Sequence, residues 1–326
     1  MRHFWICSAL VLLSCPSAYT QQRSASSFVA PDRGKEDANE APVKVRATFM
    51  AAERTPVTDW RANEIIVRES ESQARVESIA CGVDELLTIG ILLQINGRDS
   101  MTRNDLKWNK EHYTGLLTFV RSLPSPHRAM FVSAFDETTH KIVPMTTDPN
   151  SISVDDVIGK IEAIRPTHYV NSNDAMQRVL TSEFAGRPGR KILIALGDFL
   201  TTDSTPSVDE LARIAIQSGV EVFQLMDSNI TEYGFSKLLE SNFRLLPAAT
   251  GGAAYELSGS SFSTPLPLAL EDLKKLLSSS CVITYQPKEH ATSGLTVPLQ
   301  VRVTRNVEVE IYSPASRLAT TLRENK

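Results

Sequence analysis

Two apolar runs constrain this chain more than any other feature. Thr88-Ile89-Gly90-Ile91-Leu92-Leu93 and Lys191-Ile192-Leu193-Ile194-Ala195-Leu196 are continuous in hydrophobicity rather than alternating. A strand of that texture has no face to offer to water, so it belongs in a sheet covered on both sides by helices. The segments between such runs have helical character. Helices are predicted over Asp105–Val120, Val154–Ile164, Asp174–Phe184, Ser207–Gln217, Phe235–Leu246 and Pro267–Leu277. Further strands are predicted at Ala129–Phe135, Lys141–Val143, Val220–Leu225 and Ala253–Tyr255. Ser207, with Glu210 three residues on, makes a capping box, and Gly219 is placed to stop that helix. Strands alternating with helices predict a doubly wound, mainly parallel α/β sheet.

The flanks have a different texture. Val43–Phe49 alternates apolar and polar, Ile65–Val67 and Arg75–Ile79 are short strand candidates, and Val282–Tyr285, Thr296–Val303 and Val307–Tyr312 read the same way. Neither flank carries enough strands to bury a core alone. The economical arrangement is one small β-sandwich shared by both flanks, with the α/β domain inserted between them. The expected division is a leader over 1–20, a disordered linker over 21–42, sandwich strands over 43–82, the α/β domain over 83–280 and the remaining sandwich strands over 281–326.

Arg2 and His3 precede the apolar run Phe4–Leu13, which is followed by small residues. Those are the parts of a secretory signal, and the run is shorter than a membrane span requires. Leu12-Leu13-Ser14-Cys15 offers an alternative, a lipoprotein box acylated at Cys15. The expected location is therefore the periplasm, the outer surface or the medium, with a lipid anchor as the variant case and no membrane span. Beyond the leader, Cys81 and Cys281 form an even pair, which permits a disulfide in an exported chain. The net charge is −4, and no dense Lys/Arg run occurs. A nucleic-acid partner is not expected, because phosphate binding calls for a basic patch.

The order of these segments resembles that of bacterial von Willebrand factor type A-related proteins of the acidobacterial kind. Their β segment is followed by a run of the form V-G-L-L-L-D-T-S-G-S-M, and this chain offers Asn63–Glu69 and then Ile89–Gln94. Phe131–Asp136 is similar to the family's F-x-V-x-F-x strand, Leu196-Gly197-Asp198 to its L-S-D-G, and Thr250–Tyr255 to its T-G-G-x-x-F/Y. The resemblance covers nearly all of the chain beyond the leader. It implies a protein-binding or adhesion module whose site is a cage of one Asp and two hydroxyls on a first loop, a Thr on a second and an Asp on a third. Such hard oxygens suit Mg²⁺.

Here the cage is degenerate. The strand register puts Gln94 where the first Asp belongs, Asn96 at the first hydroxyl and Arg98 at the second. A register anchored on Ser100-Met101 puts Asn96 at the Asp and Arg98 at the middle Ser. The second loop offers Val170 or Asn171 near the Thr, and Asp198 alone keeps its matching position. A guanidinium close to a divalent ion adds repulsion of several kcal/mol at an effective dielectric of about 20. No cofactor is expected beyond a weak Mg²⁺ or Ca²⁺ held by Asp198, Asp99 and Ser100. The expected partner is a protein, engaged through Asn96, Arg98, Asp99, Ser100, Asp136, Asn171 and Asp198. No nucleophile elbow, phosphate loop or HExxH is present, so the chain is expected not to be an enzyme. Two alternatives stand beside this reading, a standard Mg²⁺-dependent adhesion module and an envelope hydrolase using Asp136 and Asp198.

Overall fold

The structure, a computed structural model, describes residues 41–82, 85–95, 105–123, 128–165, 167, 170–197, 206–227, 244–258, 264–287 and 295–319; of 105–110, 227 and 258 it describes the backbone alone. The leader, Cys15, the linker up to residue 40 and most of the predicted helix Phe235–Leu246 lie outside the described residues.

The strands in chain order are β1 (Val43–Ala51), β2 (Thr55–Pro56), β3 (Ile65–Glu69), β4 (Ser72–Cys81), β5 (Leu87–Gln94), β6 (Arg128–Phe135), β7 (Thr139–Thr146), β8 (Arg190–Gly197), β9 (Val220–Asp227), β10 (Ala254–Ser258), β11 (Cys281–Gln286), β12 (Thr296–Val303), β13 (Glu310–Tyr312) and β14 (Ser316–Leu318). The helices are α1 (Asp105–Ser122), α2 (Val154–Glu162), α3 (Ser172–Ser182), α4 (Val208–Ser218), helical backbone over 244–250 (α5) and α6 (Leu266–Ser278). Six strands form a sheet in the order β10-β9-β8-β5-β6-β7. Its neighbours are parallel except β7, which runs antiparallel to β6.

The two apolar runs are the central strands β5 and β8, buried on both faces as their texture requires. Ile89, Ile91 and Leu93 point into a core shared with α1, α2 and α6. Leu92 joins the opposite core with α3 and α4. Gly90 faces that second core because a side chain has no room there. A Cβ at this position would lie 2.3 Å from the Phe131 ring and 2.9 Å from Phe184, and those two rings meet edge to face at 5.2 Å. The Ser207 cap and the Gly219 stop predicted for α4 are present. The Ser207 hydroxyl accepts from the Glu210 N–H at 3.2 Å, and Gly219 takes the left-handed conformation with φ 64°.

The flanking strands pair with one another, but in a single sheet rather than the two stacked sheets of the expected sandwich. Its strand path is β13-β1-β11-β4-β3-β12-β14, with β2 paired to β1. The two ends of that path, β13 and β14, are consecutive in the chain. A flat sheet of seven strands would set its edges roughly 29 Å apart, from a spacing of about 4.8 Å. The link from Tyr312 to Ser316 spans at most about 14 Å. The sheet therefore curls, enclosing Val45, Phe49, Trp60, Val67, Ile283, Tyr285 and Val301 in its own core. Inside it the fully buried Glu69 accepts from the Tyr285 hydroxyl at 2.8 Å and pairs with Arg317 of β14. β2 and β14 are too short to leave a periodic signal, and the predicted strand Val307–Tyr312 is regular only from Glu310.

The curled sheet joins the α/β layer beneath the N-terminal ends of the parallel strands. Cys81 and Cys281 stand directly opposite in the β4–β11 register and are linked by a disulfide. Beside it, the buried Arg190 at the start of β8 grips Glu221 of β9 through two bonds, 3.0 and 2.8 Å, and donates to the Leu277 carbonyl and the Ser280 hydroxyl. Arg46 of β1 reaches the same Glu221 at 3.1 Å and Glu85 at 2.6 Å. Met50 of β1 is buried within the α/β core itself.

This packing sets two expectations for stability. Closing a loop whose ends are 200 residues apart contributes about 5 kcal/mol in the chain-entropy model. Peptide mapping under denaturing, non-reducing conditions should find no free thiol at Cys81 or Cys281, and Cys81→Ser should lower the unfolding free energy by about 2–5 kcal/mol. Gly90→Ala should destabilise by about 1–3 kcal/mol through overpacking, read as a lower midpoint in urea with an unchanged slope.

Candidate functional site

Ligands of open α/β sheets bind beyond the carboxyl ends of the strands, where consecutive connections depart in opposite directions. In this sheet that switch lies between β5 and β8. From β5 the chain proceeds to β6 and β7 on one side, then crosses to β8 on the other. The crevice is therefore floored by Gln94, the last residue of β5, and by Gly197, the last residue of β8.

Gln94 is buried and leans on Gly197, where an added Cβ would lie 2.4 Å from Gln94 Oε1 and 2.8 Å from its Cβ. Its main-chain carbonyl accepts from the Tyr113 hydroxyl of α1 at 2.8 Å. Burial pushes that phenol well above its ordinary range, so it stays a donor. A neutral amide thus fills the place at which the resemblance expects an anionic ligand.

Asp136 follows β6 and is 1% exposed. Its carboxylate ties three segments together. Oδ1 accepts from the Thr138 N–H at 2.8 Å, the Thr138 hydroxyl at 3.2 Å and His140 Nε2 at 3.1 Å, while Oδ2 accepts from the Thr167 N–H at 3.0 Å. Its main-chain carbonyl accepts from the Asn171 N–H at 2.9 Å. Burial alone would raise the Asp136 carboxyl; the N–H groups of Thr138 and Thr167, with His140, outweigh it and hold the group below its ordinary value. Thr138 and Asp136 both address the same ring nitrogen of His140. A hydroxyl–imidazole–carboxylate relay uses both ring nitrogens, so these three groups lock a turn rather than form a relay.

Asn171 is committed too. Its side chain caps α3, accepting from the Asp174 N–H at 3.1 Å. The helix therefore starts at Ser172, two residues before the expected Asp174, because the amide takes the capping role. Val170 is buried and apolar. Ser172 is fully buried with no partner for its hydroxyl among the described residues, and Asn173 donates to the Pro206 carbonyl at 2.9 Å. Asn96, Arg98, Asp99, Ser100 and Asp198 lie outside the described residues. Of the predicted set, the structure brings Asp136 and Asn171 together, through a main-chain bond. Sequence reading missed Thr138, His140 and Thr167; the alternate spacing of Asp136, Thr138 and His140 is the signal that could have pointed to an Asx-type turn.

A divalent cation of the magnesium kind requires several oxygen ligands in near-octahedral array. The described residues at the crevice do not supply one. Gln94 is neutral and packed, Val170 has no oxygen on its side chain, and the side-chain oxygens of Asp136 and Asn171 accept hydrogen bonds from N–H groups of their own turns.

Removing the Asp136 carboxylate leaves two or more donors unpaired in a dry place. Asp136→Ala should cost about 2–4 kcal/mol, from unsatisfied groups worth about 1–3 kcal/mol each. The sign with pH follows from the lowered value. The contribution is complete above the unfolded carboxyl pKa of about 4 and is lost as pH falls through the lower folded one. Denaturation curves from pH 6 down to pH 2 (roughly the carboxyl range) should show this acid loss in the parent and a shallower one in Asp136→Asn.

No protein-family model matches the chain, and no curated protein is similar to it in sequence. Among solved structures, it is similar to proximal thread matrix protein 1 from the mussel byssus, in a form with a zinc-occupied MIDAS motif, at 17% identity and TM-score 0.46. That match covers 62% of this chain and 49% of the mussel chain, so this chain spans about half the length of that protein. It is also similar to the conserved hypothetical protein BatB from Bacteroides thetaiotaomicron, at 17% identity and TM-score 0.42, over 59% of this chain and 98% of that one. An aerotolerance-related membrane protein from Bacteroides fragilis is similar over the same shares, at 13% identity and TM-score 0.40.

Proposed function

We propose that this chain is an exported protein-binding module of the adhesion type, of the von Willebrand factor type A-related kind. Its loops at the carboxyl edge of the parallel sheet engage a protein partner through a degenerate metal-ion-dependent adhesion site, without a tightly held divalent ion and without catalysis. The observation that carries this reading is Gln94, a neutral side chain buried against Gly197 at the switch point of the sheet. The engaged carboxylate of Asp136 supports it. Asp136 accepts from Thr138, His140 and Thr167, bonds that hold its turn together. The leader over 1–20 and the Cys81–Cys281 disulfide support export, since disulfides persist in oxidising compartments. Among the described residues, no helix is long and apolar enough to cross a membrane.

In place of a metal, Arg98 takes the partner's acidic group. A guanidinium pairs bidentately with a carboxylate, which a metal would otherwise coordinate.

Calorimetry with Mg²⁺, Mn²⁺ and Ca²⁺ tests the metal, and capture of envelope proteins with and without chelator tests the arginine. No heat at ~1 mM cation, with capture that survives chelator and weakens about tenfold or more in Arg98→Ala, is the expected pair of results. Micromolar cation binding that disappears in Asp198→Ala would instead establish a standard Mg²⁺-dependent module.

A further inference from the structure

Along the lateral edge of the sheet, a cleft of about 500 Å³ opens beside β10, the outermost parallel strand. One wall is α6, the other the turn that joins β1 to β2. Glu53 and Arg54 of that turn both adopt the left-handed conformation, with φ 58° and 55°. Non-glycine residues rarely do so, and such geometry persists where surrounding structure enforces it. Here Arg54 is held by Glu310 at 2.9 Å and by the Tyr312 hydroxyl.

The charges lining the cleft are not equally committed. Arg54 is paired as described, Lys275 pairs with Glu271 at 3.2 Å, and Arg244 is engaged as well. The carboxylates differ. Asp272 stands in the α6 wall and is 8% exposed. Its Oδ2 accepts from the Tyr255 hydroxyl at 2.8 Å, with Arg54 Nε at 3.8 Å, beyond hydrogen-bond range. Its Oδ1 is buried with no hydrogen-bond partner among the described residues. Burial first, and then the charge of Asp272, push the Tyr255 phenol far up, so Tyr255 remains a donor and cannot relieve a second oxygen. The side chains of Glu53 and Glu256 form no ion pair or hydrogen bond among the described residues. Every cation of the cleft is therefore spoken for, while three carboxylates retain acceptor capacity. A buried carboxylate oxygen left without a donor is costly, and a ligand bringing N–H groups would remove that cost.

We propose that this cleft is a binding site for an extended organic cation, carrying a guanidinium or primary ammonium group that donates to Asp272 and reaches Glu256 and Glu53. A point charge suits it less. Among the described residues no three His, Cys, Asp or Glu side chains converge closely enough to hold a metal ion, so the carboxylates are spaced for a longer molecule. The cation has two sources, a free di- or polyamine and the arginine or lysine side chain of a partner protein. None of the residues that line this cleft belongs to the set proposed for the carboxyl-edge loops, so its failure would leave the reading of those loops untouched.

Titration calorimetry of the full chain with agmatine and with N-acetyl-arginine amide tests it, beside Glu256→Gln and Asp272→Asn. Both probes should bind, or one of them, and affinity should fall about tenfold in each variant and further with added salt. Tighter binding of agmatine marks a free amine as the source, and tighter binding of the amide marks a partner's side chain. Glu256 lies on a half-exposed strand position, so Glu256→Gln remains decisive even where Asp272→Asn folds poorly. No heat from either probe at ~10 mM, an unchanged affinity in Glu256→Gln, or a calcium ion that binds the cleft more tightly than agmatine would overturn the proposal.

Discussion

The buried guanidinium of Arg190 is the point on which the two sheets depend. It stands at the root of β8, one of the two central strands of the parallel sheet, and is saturated by Glu221, the Leu277 carbonyl and Ser280. Those partners come from β9, from the last turn of α6 and from the link between α6 and β11, so one side chain fixes the neighbouring strand and the exit to the curled sheet together. Arg46 then extends the network from Glu221 into β1. Removing one partner of such a buried pair typically costs about 3–5 kcal/mol, because the other charge is stranded. The gain is geometric. A hydrophobic contact between two sheets tolerates sliding, whereas a forked guanidinium accepts one arrangement.

The carboxyl edge of the parallel sheet rests on this base. With the roots of β5, β8 and β9 held, their far ends present Gln94 and Gly197 in fixed register. Asp136 performs at that end the task that Arg190 performs at the other. It is a charge placed in a dry position, surrounded by donors from three segments, and it defines where the following loops begin. At both ends of the sheet a buried charge serves to fix position. The cleft beside β10 is the contrasting case, since Asp272 is buried with one oxygen unmet.

The parallel sheet was legible because burial on two faces leaves an unmistakable mark on strands such as Ile192–Leu196, and because Ser207 and Gly219 bracket a helix by local chemistry. The curling of the flanking sheet was not. It follows from β14, three residues long, meeting β12 across the structure, and three residues carry no periodicity. The start of α3 departs from expectation because an Asp suggests a first turn, while Asn171 three residues earlier makes the cap. At the site, residue types put a neutral amide at Gln94, but did not show that the neighbouring Asp136 is engaged by Thr138, His140 and Thr167. Such saturation depends on distances between segments some 30 residues apart, and sequence spacing does not encode them.

The Cys81–Cys281 bridge also settles how the molecule carries load. The bridge closes the chain between these two residues into a covalent ring. A pull applied upstream of β1 and downstream of β14 runs through the curled sheet to Cys81, crosses the sulfur–sulfur bond, and leaves through Cys281. The parallel sheet and its helices hang from that line as a side ring, outside the covalent path of the tension. Stretching the ends can peel the curled sheet apart, strand from strand, while the α/β layer keeps its shape.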